Sequence, residues 1–122
     1  MYLTQALRRA VQVRGKALAT CDGERVHSWA ECVDRIARLA GALAGLGITD
    51  GERAAILAHN SDRYYEAIYA ALWAGGVFVP INTRLAPPEI AFWLSDSESK
   101  VLLIDDSFAA VAATLKADGH IP

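Results

Sequence analysis

The sequence has only two cysteines, Cys21 and Cys32, and they form no C-x-x-C pair and stand near no histidine at ligand spacing. A disulfide framework and a thiolate zinc centre are therefore set aside, and both thiols are expected to be reduced. Histidine is as sparse: His27, His59 and His120 lie far apart, none in an H-E-x-x-H run, which removes the common zinc-hydrolase pattern. Charge of one sign is also missing. Twelve Lys and Arg stand against fourteen Asp and Glu, a formal net charge of -2, and no basic stripe is present of the kind a nucleic-acid partner requires. Apolar runs are interrupted well short of the roughly 20 residues that span a bilayer, and the amino terminus carries no basic, apolar, small-residue leader pattern. These absences predict a soluble, cytoplasmic protein with no transmembrane segment and no nucleic-acid partner. Phosphate-gripping motifs are absent too. No G-x-G-x-x-G follows a strand, no G-x-x-x-x-G-K-[ST] loop exists, and Gly41, Gly45 and Gly47 fall within or at the end of a helical stretch. Spacing identifies no nucleophile, base and orienter triad.

What the chain does have is core. Of 122 residues 53% are hydrophobic, enough for one domain, and no shift in composition argues for a second. The organising stretch runs from Arg53 to Ile104. Short apolar runs at Arg53 to Ala58, Val77 to Ile81 and Val101 to Ile104 alternate with helix-length segments at Asp62 to Trp73 and Pro87 to Ser95. Unbroken rather than alternating apolar runs predict strands covered on both faces, hence a parallel sheet of βαβ units in an αβα sandwich. Pro80 near the end of the middle run predicts the point where that strand leaves the sheet. Ligands of such sheets gather beyond the carboxyl ends of the strands, which singles out His59, Asn60 and Ser61, then Asn82, Thr83 and Arg84, then Asp105, Asp106 and Ser107. Asp105 and Asp106 together could hold magnesium, but helix capping by Asp106 or Ser107 is the expected role.

Ahead of this stretch, apolar residues at Leu3, Ala6, Leu7, Ala10 and Val11 predict an amphipathic helix over 1–13. Asp22 and Gly23 predict a type I′ turn in a hairpin over 17–28. Ser28 and Glu31 form a capping box opening a helix over 29–46, with Trp29, Val33, Ile36, Ala40 and Leu43 as its apolar stripe. Glu31 with Arg35, and Asp34 with Arg38, are expected to pair across one turn for about 0.3 kcal/mol each. A βαβαβα run over 53–117 follows. In it the helix bearing Tyr64, Tyr65, Ile68, Tyr69, Leu72 and Trp73 should be sandwiched, Ile90, Trp93 and Leu94 should be buried, and a last helix should bear Phe108, Val111, Ala112 and Leu115.

Three stretches carry a family resemblance: Gly51 to Ser61, with His59-Asn60-Ser61; Ala70 to Leu85, with Gly75-Gly76 and Val79-Pro80-Ile81-Asn82-Thr83-Arg84-Leu85; and Glu89 to Ser97. Together with Ser28-Trp29-Ala30-Glu31 they resemble the amino-terminal region of the adenylate-forming, AMP-binding acyl-CoA synthetases, over nearly the whole chain. The Asn82-Thr83-Arg84 run is more similar to acyl-CoA ligases than to peptide-synthetase adenylation domains. The resemblance implies a parent enzyme that uses ATP, Mg2+ and CoA to activate a carboxylic acid as its acyl-adenylate and pass it to the CoA thiol. It further implies that Asn82, Thr83 and Arg84 border the CoA channel and that His59 and Asn60 line the substrate cleft. The family's phosphate-binding loop and catalytic lysine match nothing in these 122 residues. The chain is therefore expected to be an N-terminal fragment of the large AMP-binding domain, an incomplete sandwich that is inactive alone, with no cofactor bound and a free sheet edge through which it could form a homo-oligomer. The competing expectation is a complete small α/β module that binds a nucleotide or partner without catalysis.

Overall fold

The computed structural model describes residues 2–121, so Met1, the expected start of the first helix, lies outside the described residues. In chain order the elements are α1 (Gln5–Arg14), β1 (Leu18–Asp22), β2 (Arg25–Ser28), α2 (Trp29–Gly45), β3 (Arg53–Leu57), α3 (Asp62–Trp73), β4 (Val77–Pro80), α4 (Pro87–Asp96), β5 (Val101–Ile104), a 3-10 turn (Asp106–Phe108) and α5 (Ala109–Ala117). β1 and β2 form an antiparallel hairpin, and β3 pairs in parallel with β4 on one side and β5 on the other. The expected parallel sheet, amino-terminal helix and hairpin are all present.

β3 is central because both its faces are apolar. Ala54 joins a cluster with Leu7 of α1, Cys32, Ile36, Ala40 and Leu43 of α2 and Ala70 and Ala71 of α3. Ala55 and Leu57 join the opposite cluster, with Ile90, Ala91 and Leu94 of α4, Phe108 and Leu115. Successive residues of a strand point to opposite faces, so one five-residue strand anchors two helical layers. Pro80 is the last residue of β4, where a missing amide costs no internal ladder bond on an edge strand. Both cysteines are free. Cys32 is fully buried, and burial pushes its thiol up.

Several local expectations are corrected. Asp22 pairs with Arg25, so the hairpin loop is Gly23-Glu24, with positive φ at Gly23 alone (59°), the pattern of type II′ rather than I′. Asp34 and Arg38 do pair, at 2.9 Å, but Arg35 turns away from Glu31 to Glu66 on α3, because Glu31 is held by the capping box with Ser28. The face that α3 buries consists of Ala67, Ala70 and Ala71 with Asp62 and Glu66, while its aromatic residues are only half-buried. Small residues let α3 sit close to α2, and the rings fill the margins. On α4, Ala91 is buried in place of Trp93, which is 47% exposed. The cap before the last helix is Asp105, whose Oδ1 accepts the Ser107 N–H at 2.8 Å.

Candidate functional site at the carboxyl ends of the strands

The loops leaving β3 and β4 enclose a recess of about 270 Å³ lined by Ala58, His59, Asn60, Tyr64, Ile81, Asn82 and Thr83. Of the five residues that the resemblance assigns to the CoA channel and the substrate cleft, four, His59, Asn60, Asn82 and Thr83, are thus brought to one place. Parallel pairing in register, with Ile56 opposite Pro80, makes this unavoidable, since both strands end at the same level. Arg84 does not line the recess. Its backbone N–H donates to Asn82 Oδ1 at 2.9 Å, and Leu85 N–H donates to the Asn82 carbonyl at 3.2 Å, so Asn82 closes a turn that holds Arg84 exposed beside the opening.

The β3 loop is tied to the end of β5 as well. His59 N–H donates to Asp105 Oδ2 at 2.7 Å, and the His59 ring lies 5.0 Å from that of Phe108. Accepting from the His59 amide, and then from that of Ser107, holds the Asp105 carboxyl below the ordinary carboxylate range. Both Asp105 oxygens are engaged by backbone donors. This is a cap and strap rather than the half of a magnesium site.

A second polar assembly, not foreseen in the sequence, joins the hairpin to α2 and α3. Arg25 donates to Asp62 through Nη2 at 2.7 Å and Nε at 3.1 Å, and Asp62 N–H donates to Asp22 Oδ2 at 3.2 Å. Arg35 donates to Glu66 through Nε at 2.7 Å and Nη2 at 3.1 Å. His27 Nδ1 lies 4.0 Å from Asp62 Oδ2. The available signal was Asp62 and Glu66 four apart on the same stripe as Ala70, acids on a face of small apolar residues. Only the fold shows which cations reach them, 31 and 37 residues away in sequence.

His27, Asp62 and Glu66 each offer a ligand atom within 4.8 Å of one another. Their carboxylates already accept paired donors from two guanidinium groups, which take the place a cation would fill. A magnesium ion, which demands an octahedron of oxygens, does not fit this donor set.

The assembly predicts an acid limit to stability. The Arg25 guanidinium, and then the Arg63 amide, hold the Asp62 carboxyl below its ordinary range despite burial. A folded-state pKa below the unfolded one adds stability that is present above the unfolded value and lost as pH falls through the folded one. The urea midpoint should therefore hold steady from neutral pH down to about 5 and fall below about 4. In Asp62→Asn, less stable at neutral pH, the fall should be shallower; an equally steep fall would remove Asp62 from the explanation.

Comparison with known proteins shows a family. The family of AMP-binding enzymes matches residues 7–121. The chain is 38% identical over 106 residues to the peroxisomal acetate/butyrate–CoA ligase AAE7 of Arabidopsis thaliana, covering 87% of this chain and 19% of that protein. It is 45% identical over 85 residues to the long-chain-fatty-acid–CoA ligase FadD13 of Mycobacterium tuberculosis, covering 70% of this chain and 17% of that protein. It therefore spans about a fifth of the length of these curated relatives. The inhibitor-bound N-terminal domain of FACL13 from M. tuberculosis superposes with a TM-score of 0.91 at 34% identity, over 98% of this chain and 32% of that one.

Proposed function

Because the chain belongs to the family of AMP-binding enzymes, we propose that it is the amino-terminal part of an ATP-dependent acid–CoA ligase. The reaction is the activation of a carboxylic acid as its acyl-adenylate with release of pyrophosphate, followed by transfer of the acyl group to the CoA thiol with release of AMP. The observation that carries the proposal is the single recess formed by His59, Asn60, Asn82 and Thr83, with Arg84 held at its opening by the Asn82 turn.

Within that reaction these residues bind and orient. Arg84 offers a permanent positive charge and a planar fork of donors suited to a CoA phosphate. Asn82 and Thr83 form the channel wall, and His59 and Asn60 the facing lip toward the acyl substrate. The sequence carries no phosphate-gripping motif, and among the described residues the one candidate cluster does not fit the magnesium ion that ATP brings, so we assign the adenylation step to polypeptide outside these 122 residues and infer that they are inactive alone. The relatives support a role common to many acids rather than acid selection. Proteins named for acetate or butyrate and for long-chain fatty acids resemble this stretch at 38% and 45% identity, and a feruloyl-CoA synthase of Amycolatopsis does so at 38%.

The test is acyl-CoA formation by the full-length protein and its Arg84→Ala variant. With an accepted acid, the variant should raise KM for CoA about tenfold, the loss of one charge-assisted contact, and leave KM for ATP and for the acid unchanged. An unchanged KM for CoA removes Arg84 from the channel, and no acid-dependent AMP release from the unaltered protein overturns the ligase assignment.

A further inference from the structure

We propose that Asp105 is a positioning residue for the acid substrate: from the end of β5 it holds the His59-Asn60 lip of the recess in the conformation that receives the acid. The inference rests on the ligase proposal for the identity of that ligand, and on the contact between the two loops for the rest.

The lip has little else to hold it. His59 and Asn60 are both exposed. Among the described residues, the only hydrogen bond that either makes is the one from His59 N–H to Asp105 Oδ2, at 2.7 Å. Ala58 and Tyr64 line the recess and also a cleft of about 380 Å³ that Asp105 borders. The lip is therefore a partition between two hollows, steadied by the His59 ring against the buried Phe108 and by this one bond. Because its acceptor is charged, the bond is roughly twice as strong as one between neutral groups.

Asp105 is itself fixed. Its other oxygen, Oδ1, accepts the Ser107 N–H at 2.8 Å, and Phe108 one residue on is packed in the cluster of Ile90 and Leu94. One carboxylate thus joins a thinly supported loop to a turn anchored in the core. The task needs two acceptor oxygens on one short side chain. Asparagine has one, and would turn an NH2 group toward one of the two amides.

Holding the lip affects binding rather than turnover. A ligand binds only those molecules whose lip is in place, so loosening it weakens apparent affinity by that fraction, and saturating ligand restores the population. A raised KM with kcat preserved is the signature, and a residue that only caps a turn does not give it.

The experiment uses the full-length protein with an accepted acid, and the variants Asp105→Ser and Asp105→Ala. Serine caps a turn about as well as aspartate but offers one oxygen where two are needed. Asp105→Ser should raise KM for the acid about tenfold, with kcat and the KM values for CoA and ATP unchanged and the urea midpoint nearly kept. Its His59 amide should exchange about tenfold faster than in the unaltered protein. Asp105→Ala should show the same KM with a lower midpoint, because it loses the cap as well. An unchanged KM for the acid in Asp105→Ser would overturn the proposal and leave Asp105 a cap. Equal rises in KM for the acid and for CoA would overturn it too, as a general distortion, and so would a His59 amide that exchanges equally fast with and without Asp105. No acid-dependent AMP release from the unaltered protein overturns the ligase reading and the lip's substrate with it, whereas an unchanged KM in an active enzyme removes Asp105 alone.

Discussion

Replacing Arg35 with alanine is expected to destabilise the fold by about 3 kcal/mol, the lower end of what removing one partner of a buried ion pair costs. The Glu66 side chain is 5% exposed and accepts two hydrogen bonds from Arg35, which is itself 38% exposed. With Arg35 gone, a nearly buried carboxylate loses both donors and stays within 4.8 Å of the Asp62 carboxylate, whose own guanidinium partner, Arg25, makes no hydrogen bond to Glu66. The reverse change should be milder. In Glu66→Gln the arginine keeps a neutral acceptor and has access to water, so about 1 kcal/mol is expected. Arg35→Lys should fall between the two, since an ammonium group cannot reproduce the paired contacts. Urea unfolding followed by tryptophan fluorescence gives the order, and equal losses for Arg35→Ala and Glu66→Gln would show that the cost of the stranded carboxylate is not what matters.

Gly76→Ala is expected to be about as damaging, near 3 kcal/mol, at the upper end for overpacking by one methyl. A Cβ built on Gly76 would stand 2.5 Å from Ile48 Cγ2, 2.9 Å from the Glu52 carbonyl oxygen and 3.2 Å from that of Ala71. Ile48 is fully buried and has nowhere to move, and the carbonyls are committed: Ala71 accepts the Gly76 N–H at 2.9 Å and Glu52 the Val77 N–H at 2.8 Å. Relief would require shifting the start of β4 against β3. Gly41→Ala is the control, because it sits inside α2 with nothing within 4 Å of the added carbon. It should stabilise by about 0.5–1 kcal/mol through helix propensity alone. Matching midpoints for the two variants would show that the junction at Gly76 relaxes freely.

The candidate site was legible to the degree that it depends on strand order. Apolar runs separated by helix-length segments place every loop after a strand at one end of a parallel sheet, which puts His59 and Asn60 near Asn82 and Thr83 from strand order alone. Strand order groups Arg84 with them, yet it does not line the recess, because the Asn82 side chain closes a turn on the Arg84 backbone. The strap from Asp105 to His59 joins residues 46 apart and had no local signature.

Sequence alone thus decided the class of fold, the cap at Ser28, the strand exit at Pro80 and the end of the sheet where the candidate residues gather. These follow from periodicity and from backbone chemistry within a few residues. Only the tertiary structure decided that α3 buries alanines and two acids instead of its aromatics, that Arg35 answers Glu66 rather than Glu31, and that β3 lies between β4 and β5. A charge settles on the partner that burial leaves least hydrated, and a helix presents the face that lets its neighbour come closest. Both are set by elements distant in the chain.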